Sequence, residues 1–512
     1  MGWAARLGER SSPRAWLAGV AALFGVAQVL LVADLPLGWD EAIYASQNDP
    51  RRPALAFTAP RARGMPWLAA PLQAVTGSTV ALRVYLAVLA SLALYGAYAV
   101  WLMLRPDASV PLAALGFASL WITLFYAPSL MPNVPIALAG VLATGTLLCA
   151  ALGRAPAWLP WAGGAAVAAA ALVRPGDVVP LLGALAVAVV AHPRWRRRAV
   201  ALLVPLVAGA VLGALPWVVE AQQRYDGVVA RVRRAISTQS TGERFVPDYQ
   251  LRALDGPLLC RPCNRATQPI PTAGLLWWVA GALLVALAVW LVLRGPDRIG
   301  IRGAPRSATL LPAMVGVVLA LPYLFLVGYA APRFLLPSYA LLALPAAQAL
   351  RHLCLRAAAP GRPPDQGQPV VQGRPAVSVR PVVAGVVAVL LAGHVALQYR
   401  QLESILAGSE PGRAQWDSVA ATLARHGVTP PCLLTGAEAA PVAYLARCDA
   451  VHLERVPGDE PFTLADLRAQ AARQHVALVL RSGQGRPSFA RGWAPLPAGD
   501  LPKGWRVLVA PR

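Results

Sequence analysis

The sequence predicts a polytopic α-helical membrane protein of about 11 transmembrane helices with a small extracytoplasmic α/β domain at its C-terminal end. Three observations predict it. First, of 512 residues 57% are hydrophobic and only 14% are charged, against about 25% charged in soluble domains. So few charges cannot coat a water-soluble surface of this size, and so many apolar residues exclude a disordered chain. Second, the apolar residues fall in long runs. Third, the runs stop near residue 398, and a different pattern follows. The formal net charge is +22, from 46 basic and 24 acidic residues. That charge is dispersed between apolar runs, so it does not form a nucleic-acid footprint. Lys503 is the only lysine; an Arg excess of this kind fits a GC-rich coding sequence as well as a functional demand.

A bilayer core needs about 20 mostly apolar residues per helix. Eleven segments qualify: Ala15–Ala33, Ala81–Leu104, Val110–Tyr126, Asn133–Leu152, Ala157–Val173, Val178–Ala191, Ala199–Val219, Ala273–Leu293, Ala308–Gly328, Phe334–Leu350 and Pro381–Gln398. The fifth and sixth nearly touch at Arg174-Pro175-Gly176-Asp177. The first is longer than a signal-peptide core and many spans follow it, so it reads as an uncleaved anchor.

The connections alternate sides. The set containing the N-terminus holds about 18 arginines in roughly 75 residues, and the other set about 14 in roughly 120, which places the first set in the cytoplasm. Pro193-Arg194-Trp195-Arg196-Arg197-Arg198 is its clearest marker. The expected location is the plasma (inner) membrane, with the N-terminus cytoplasmic and the C-terminal domain outside. Residues 1–398 form the membrane domain, with outer loops 34–80 and 220–272, and residues 399–512 the outer domain. In the latter, Trp416–His426 reads as an amphipathic helix, and Leu433–Thr435, Val451–Leu453, Val476–Leu480 and Val507–Val509 as strands. Thr463–Gln474 is helical between two of them. Ala357–Val379, rich in Pro, Gly and Gln, reads as a linker. No internal repeat is evident, which counts against transporters built from repeated halves.

Of six cysteines, Cys149 and Cys354 read as inert thiols. Cys260-Arg261-Pro262-Cys263 lies in an outer loop, and Cys432 and Cys448 flank a strand and helix of the outer domain. An oxidising compartment makes both pairs disulfide candidates. Zinc is the alternative for the CxxC, but no second pair accompanies it.

The chemistry concentrates just after the first span, in Leu37-Gly38-Trp39-Asp40-Glu41-Ala42-Ile43-Tyr44-Ala45. Two adjacent carboxylates there suit a helix N-terminus. They equally suit a general base at the membrane surface, where partial desolvation would raise a carboxyl pKa. Several segments together resemble the GT-C class of membrane glycosyltransferases, in particular the family related to protein O-mannosyltransferases and lipid A aminoarabinose transferases. They are the Asp40-Glu41 pair, Arg63-Gly64-Met65-Pro66-Trp67, Ala81-Leu82-Arg83-Val84, Met131-Pro132-Asn133-Val134-Pro135, Ala171-Leu172-Val173-Arg174-Pro175 and Arg333-Phe334-Leu335-Leu336-Pro337. Their order and topological side carry the resemblance over most of residues 15–400.

The resemblance implies a GT-C-like membrane fold and an enzyme that transfers a sugar from a polyprenyl-phosphate donor to a hydroxyl of a glycan, lipid or protein acceptor, with inversion. Asp40 is then the base and Glu41 its electrostatic or acceptor-positioning partner. Arg63, Arg174 and Arg333 are candidates for the donor phosphate, to which arginine gives bidentate contacts. Asn133 and Tyr44 are acceptor- or metal-adjacent. Where the family often has an acidic residue this chain has Asn133, which cannot act as an ionised carboxylate. No closed metal-ligand set is visible; a divalent cation is the one cofactor the resemblance leaves open. Arg61 reads as a solvated loop charge. Arg231, Arg233 and Arg234 read as a solvated or interfacial helix face, or as a lid over the phosphate. Trp217 and Trp277-Trp278 read as interfacial belts. Glu438 and Asp449 read as surface charges. A flippase for a lipid-linked intermediate and a catalytically silent GT-C-like scaffold are the competing classes.

Overall fold

A computed structural model describes residues 12–239, 247–261, 263, 266, 268–295, 305–358, 379–451, 453 and 462–511. Each of the eleven apolar segments falls on helix. Ten helices form the main run: α1 (Pro13–Val32), α4 (Thr79–Ala99), α5 (Ser109–Ala118), α7 (Asn133–Ala151), α8 (Leu159–Val173), α9 (Pro175–Ala191), α10 (Ala199–Arg224), α13 (Thr272–Arg294), α14 (Ser307–Phe325) and α15 (Leu336–Ala358). Among the described residues six helices are long and apolar enough to cross a membrane, and the chain is a multi-pass membrane protein. Short helices α2 (Trp39–Ser46), α3 (Gly64–Val75), α6 (Trp121–Tyr126), α11 (Val228–Thr238) and α12 (Pro247–Arg252) fill the connections at one end of the bundle.

Local sequence explains the boundaries. Ser12 caps α1, its hydroxyl accepting from the Ala15 N–H, with Pro13 opening the first turn. Ser78 caps α4 in the same way. The third apolar segment, expected as one span, is two helices. Leu120 is extended, and the Trp121 N–H released by the break donates to Gln398 Oε1 at 2.9 Å. A side chain thus replaces the lost helical acceptor, which makes a break tolerable in an apolar setting.

Inside the bundle α7 is buried along nearly all its length, whereas α13 exposes most of its surface. The tightest seam joins α8 and α10. A Cβ on Gly209 would lie 2.0 Å from the Gly164 carbonyl oxygen, and one on Gly213 2.1 Å from that of Ala168. Small residues let these backbones touch, the usual source of helix association in an apolar medium.

The last long helix, α16 (Val379–Arg425), runs 47 residues without a break. Trp416–His426 is therefore not a separate helix but the end of this one. Beyond it come β1 (Cys432–Gly436), α17 (Ala439–Ala446), β2 (Asp449–Val451), α18 (Leu464–Ala471), β3 (His475–Arg481), β4 (Ala494–Pro495) and β5 (Trp505–Val509). The sheet order is β2-β1-β3-β5-β4. β1 pairs in parallel with β2 and β3, while β5 is antiparallel to β3 and β4. The parallel pairs need crossovers, which α17 and α18 supply. Buried on both faces, β1 and β3 are almost wholly apolar. β4, two residues long, carries too little pattern to be read from sequence. Cys432–Cys448 and Cys260–Cys263 are disulfides, and Cys149 and Cys354 are free.

Candidate active site

The site is built on α2, and its sequence aims the two carboxylates in different directions. Successive residues of a helix point about 100° apart, so Asp40 and Tyr44 share a face that Glu41 does not. The Asp40 side chain is 35% exposed. Its Oδ1 accepts from Arg61 Nη2 at 2.8 Å, and its Oδ2 lies 3.3 Å from Arg333 Nη2. Burial raises the Asp40 pKa, but Arg61 and Arg333, helped by Arg174, outweigh it and hold the carboxyl below its ordinary range. The expected upward shift is thus reversed, because desolvation comes with two guanidinium partners. Arg61, read as a solvated charge, is instead a direct ligand of this carboxylate.

Arg333 stands on a short 3-10 turn, Pro332–Leu335. It also reaches Tyr126 Oη and the Leu258 carbonyl, both at 3.2 Å, and packs on the Tyr126 and Phe334 rings. Arg174, between α8 and α9, lies against Tyr323 and Phe334, 5.6 Å from each ring centre. Its Nε is 3.6 Å from Asp177, whose other oxygen accepts from Tyr323 Oη at 2.6 Å. Tyr44 is buried beside Arg61, and burial raises its phenol pKa, leaving a neutral hydroxyl among cations. Asp40 with Arg61 and Arg333 thus carries one surplus positive charge at a half-open mouth.

Glu41 is sealed. Its Oε1 accepts from Arg83 Nη1 at 2.5 Å and from the Leu130 N–H at 2.8 Å; its Oε2 accepts from Arg83 Nη2 at 2.9 Å and from the Gly38 N–H at 2.8 Å. Arg413 of α16 adds a second guanidinium 3.6 Å away. Burial raises the Glu41 pKa, but Arg83 and Arg413 more than reverse the shift. With four donors on its two oxygens and the residue 3% exposed, Glu41 ties α2 to α4 and to the Leu130 segment. Gly38 leaves the space for this network: a Cβ would sit 3.1 Å from Arg413 Nη2 and 3.3 Å from Glu41 Oε2, in tight contact with both.

Arg63, expected at the phosphate, is held elsewhere. Its Nε donates to Glu220 at 3.0 Å, its Nη1 to Gln47 at 2.8 Å, and its guanidinium covers the Phe57 ring. Glu220 also takes Arg231 at 2.9 Å. Arg231 is fully buried and donates to the Ala59, Arg61 and Trp217 carbonyls, with its guanidinium on the Trp217 ring. Arg231 is therefore not part of a solvated face, and Trp217 serves as its stacking platform. Arg233 remains exposed. Through Arg231, the carbonyl of the residue that holds Asp40 is itself pinned. Glu438, read as a surface charge, bonds Trp416 and pairs with Arg481 at 3.1 Å.

Asn133 opens α7, 1% exposed, and neither side-chain polar atom has a partner. It joins neither carboxylate through a hydrogen bond. A divalent cation does not fit this donor set. Both oxygens of Asp40 and of Glu41 already face cationic or N–H donors, and among the described residues no three His, Cys, Asp or Glu side chains gather.

The structure therefore brings together Asp40, Tyr44, Arg174 and Arg333 of the expected residues, and sets apart Glu41, Arg63 and Asn133. Sequence reasoning missed Arg61, Arg83, Glu220 and Arg413. An apolar context was the available signal for Arg83, the fifth residue of an apolar helix; the others carry none.

Known structures place the architecture. The crystal structure of ArnT from Cupriavidus metallidurans bound to undecaprenyl phosphate is similar at a TM-score of 0.63 and 15% identity, over 97% of this chain and 99% of that one. Its apo form gives 0.62 at 14% identity over the same shares. The Archaeoglobus fulgidus oligosaccharyltransferase tethered with an acceptor peptide gives 0.56 at 12% identity, over 91% of this chain and 69% of that one. No protein-family model and no curated protein matches the sequence. The fold is that of the GT-C glycosyltransferases.

Proposed function

We propose that the protein is an inverting glycosyltransferase that moves a sugar from a polyprenyl-phosphate donor to a hydroxyl acceptor at the outer membrane face. The observation that carries this reading is the half-open Asp40 carboxylate held between Arg61 and Arg333 with a surplus positive charge. A polyprenyl chain would lie in the bilayer and its phosphate at this mouth. The fold shared with ArnT, solved with undecaprenyl phosphate, supports it.

In this reading Asp40 accepts the proton of the acceptor hydroxyl. The hydroxyl oxygen attacks the anomeric carbon, a new carbon–oxygen bond forms, and the bond to the phosphate oxygen breaks. The leaving polyprenyl phosphate gains negative charge, which Arg333, Arg61 and Arg174 stabilise. No step uses a metal.

The resting geometry gives the sequence an order. Without donor, Asp40 occupies the guanidinium groups that the phosphate would take, and they keep it a weak base. When the phosphate engages Arg61 and Arg333, their hold on Asp40 slackens and its pKa rises toward a value that suits proton abstraction. Donor binding thereby arms the base. Glu41 contributes by fixing α2, and Tyr44 offers a neutral hydroxyl to orient the acceptor.

Residues 1–398, with outer loops 34–80 and 220–272, carry the chemistry, and residues 399–512 lie on the outer side. The N-terminus is cytoplasmic and the membrane is the plasma membrane. The test is incubation of the purified protein with a radiolabelled polyprenyl-phosphate sugar and hydroxyl acceptors. Label appearing on the acceptor supports the reading. Label that only crosses a liposome, without transfer, replaces it with a flippase.

A further inference from the structure

The motif Cys260-Arg261-Pro262-Cys263 plays no part in the chemistry just described, yet it lies one backbone pairing away from it. Cys260 N–H donates to the Ala330 carbonyl at 2.8 Å, and Ala330 N–H returns the bond to the Cys260 carbonyl at 3.2 Å. This isolated bridge fastens the outer loop to the segment that leads into Arg333. Two residues before the disulfide, the Leu258 carbonyl accepts from Arg333 Nη1 at 3.2 Å, while Nη2 faces Asp40. Three residues on from the bridge on the other side stands Arg333 itself. The same loop also grips the neighbouring ring, with Arg261 over Tyr329 at 5.0 Å.

We infer that the Cys260–Cys263 disulfide is the positioning element of Arg333. Cys260 is fully buried and Cys263 nearly so, packed with Ala253 and Ala330. The bridge spans a sequence separation of only 3, so the chain entropy it removes is small and its effect is local. It holds residues 258–260 in the geometry in which one strand-like pair and one carbonyl fix both the backbone and the guanidinium of Arg333. An arginine carries much rotamer freedom. Orienting it in advance removes an ordering cost that a phosphate ligand would otherwise bear on binding. The inference rests on the donor reading for its consequence, but not for its geometry.

The test compares two double variants of the full chain in nanodiscs: Cys260→Ser with Cys263→Ser, and Cys432→Ser with Cys448→Ser as the control for loss of a disulfide that neither bonds nor pairs with the Arg333 segment. The first is expected to raise hydrogen exchange at residues 329–334 and to weaken binding of undecaprenyl phosphate about tenfold, the effect of losing one charge-assisted contact. It raises the donor KM and also lowers kcat, because Arg333 both stabilises the leaving phosphate and holds Asp40. The control leaves all four unchanged. A folded first variant with unaltered exchange and unaltered donor binding overturns the inference, as does an equal loss in the control. Should the first variant not fold, wild-type protein reduced with dithiothreitol, its free thiols counted by mass, gives the same readouts with the same two outcomes. If wild-type protein binds no undecaprenyl phosphate, the donor reading fails, and the exchange at 329–334 still decides the clamp.

Discussion

Asp40 and Glu41 are neighbours on one helix, carry the same charge and each face two arginines, yet they do opposite things. The Asp40 side chain is 35% exposed, with one guanidinium on each oxygen. That of Glu41 is 4% exposed and accepts from two backbone N–H groups besides Arg83. A carboxylate whose partners are all cations at an open mouth can exchange them for another anion. One whose lone pairs are filled by backbone donors cannot move without dismantling four segments. On the proposed mechanism, that difference, more than charge or burial alone, is what assigns Asp40 the reaction and Glu41 the support.

Substitutions divide along that line. Asp40→Asn is expected to abolish transfer, by about 100-fold to 10,000-fold in kcat, as for loss of a general base, while the thermal midpoint in detergent stays at the wild-type value. A variant that keeps transfer activity removes Asp40 from the mechanism. Glu41→Gln should do the converse. It strands Arg83 in the core, and breaking a buried pair costs about 3–5 kcal/mol, read as a lowered unfolding midpoint. Its pH dependence follows from the depressed Glu41 pKa. The stabilisation is complete above the ordinary glutamate pKa and is lost as pH falls through the lower folded value, so wild type loses midpoint in acid and Glu41→Gln loses less.

A smaller effect is expected at Arg61. Arg61→Gln removes one of the three cations that lower the Asp40 pKa. The Asp40 pKa then rises, the base is protonated at higher pH, and the acid limb of kcat/KM moves upward; an unmoved limb would detach Arg61 from the base. The smallest change is Arg413→Ala. Glu41 retains Arg83, so transfer should fall less than about tenfold, without change in donor KM, and exchange across residues 36–46 should rise. Unchanged exchange there would mean that α16 does not brace α2.

Much of this was legible. Uninterrupted apolar runs require helices, and their ends located eight of the main helices to within about five residues, whereas α15 runs on to Ala358 and α16 to Arg425. The third segment breaks in two, because Gln398 satisfies its break from far along the chain. The Asp40-Glu41 pair stood out from its place after the first span. The resemblance already named Asp40 as the base and Glu41 as its partner; the surroundings of each were not legible, because their partners are distant: Arg61 is 21 residues from Asp40, Arg333 is 293, and Arg83 is 42 from Glu41. A lone arginine in a loop reads the same whether water or a carboxylate surrounds it. That ambiguity misplaced Arg61 and Arg231 as solvated and Arg63 at the phosphate, when Glu220, 157 residues away, holds Arg63.

The long helix α16 also sets a clock for biosynthesis. Arg413 bonds the Pro36 carbonyl across 377 residues of sequence. At roughly 5–20 residues per second, it leaves the ribosome about 20–75 s after the segment it braces. Until then the Glu41 core lacks its second cation and α2 its support. The membrane helices can all be inserted while the Asp40–Glu41 end is still unfinished, so the site is assembled only when nearly the whole chain has been made.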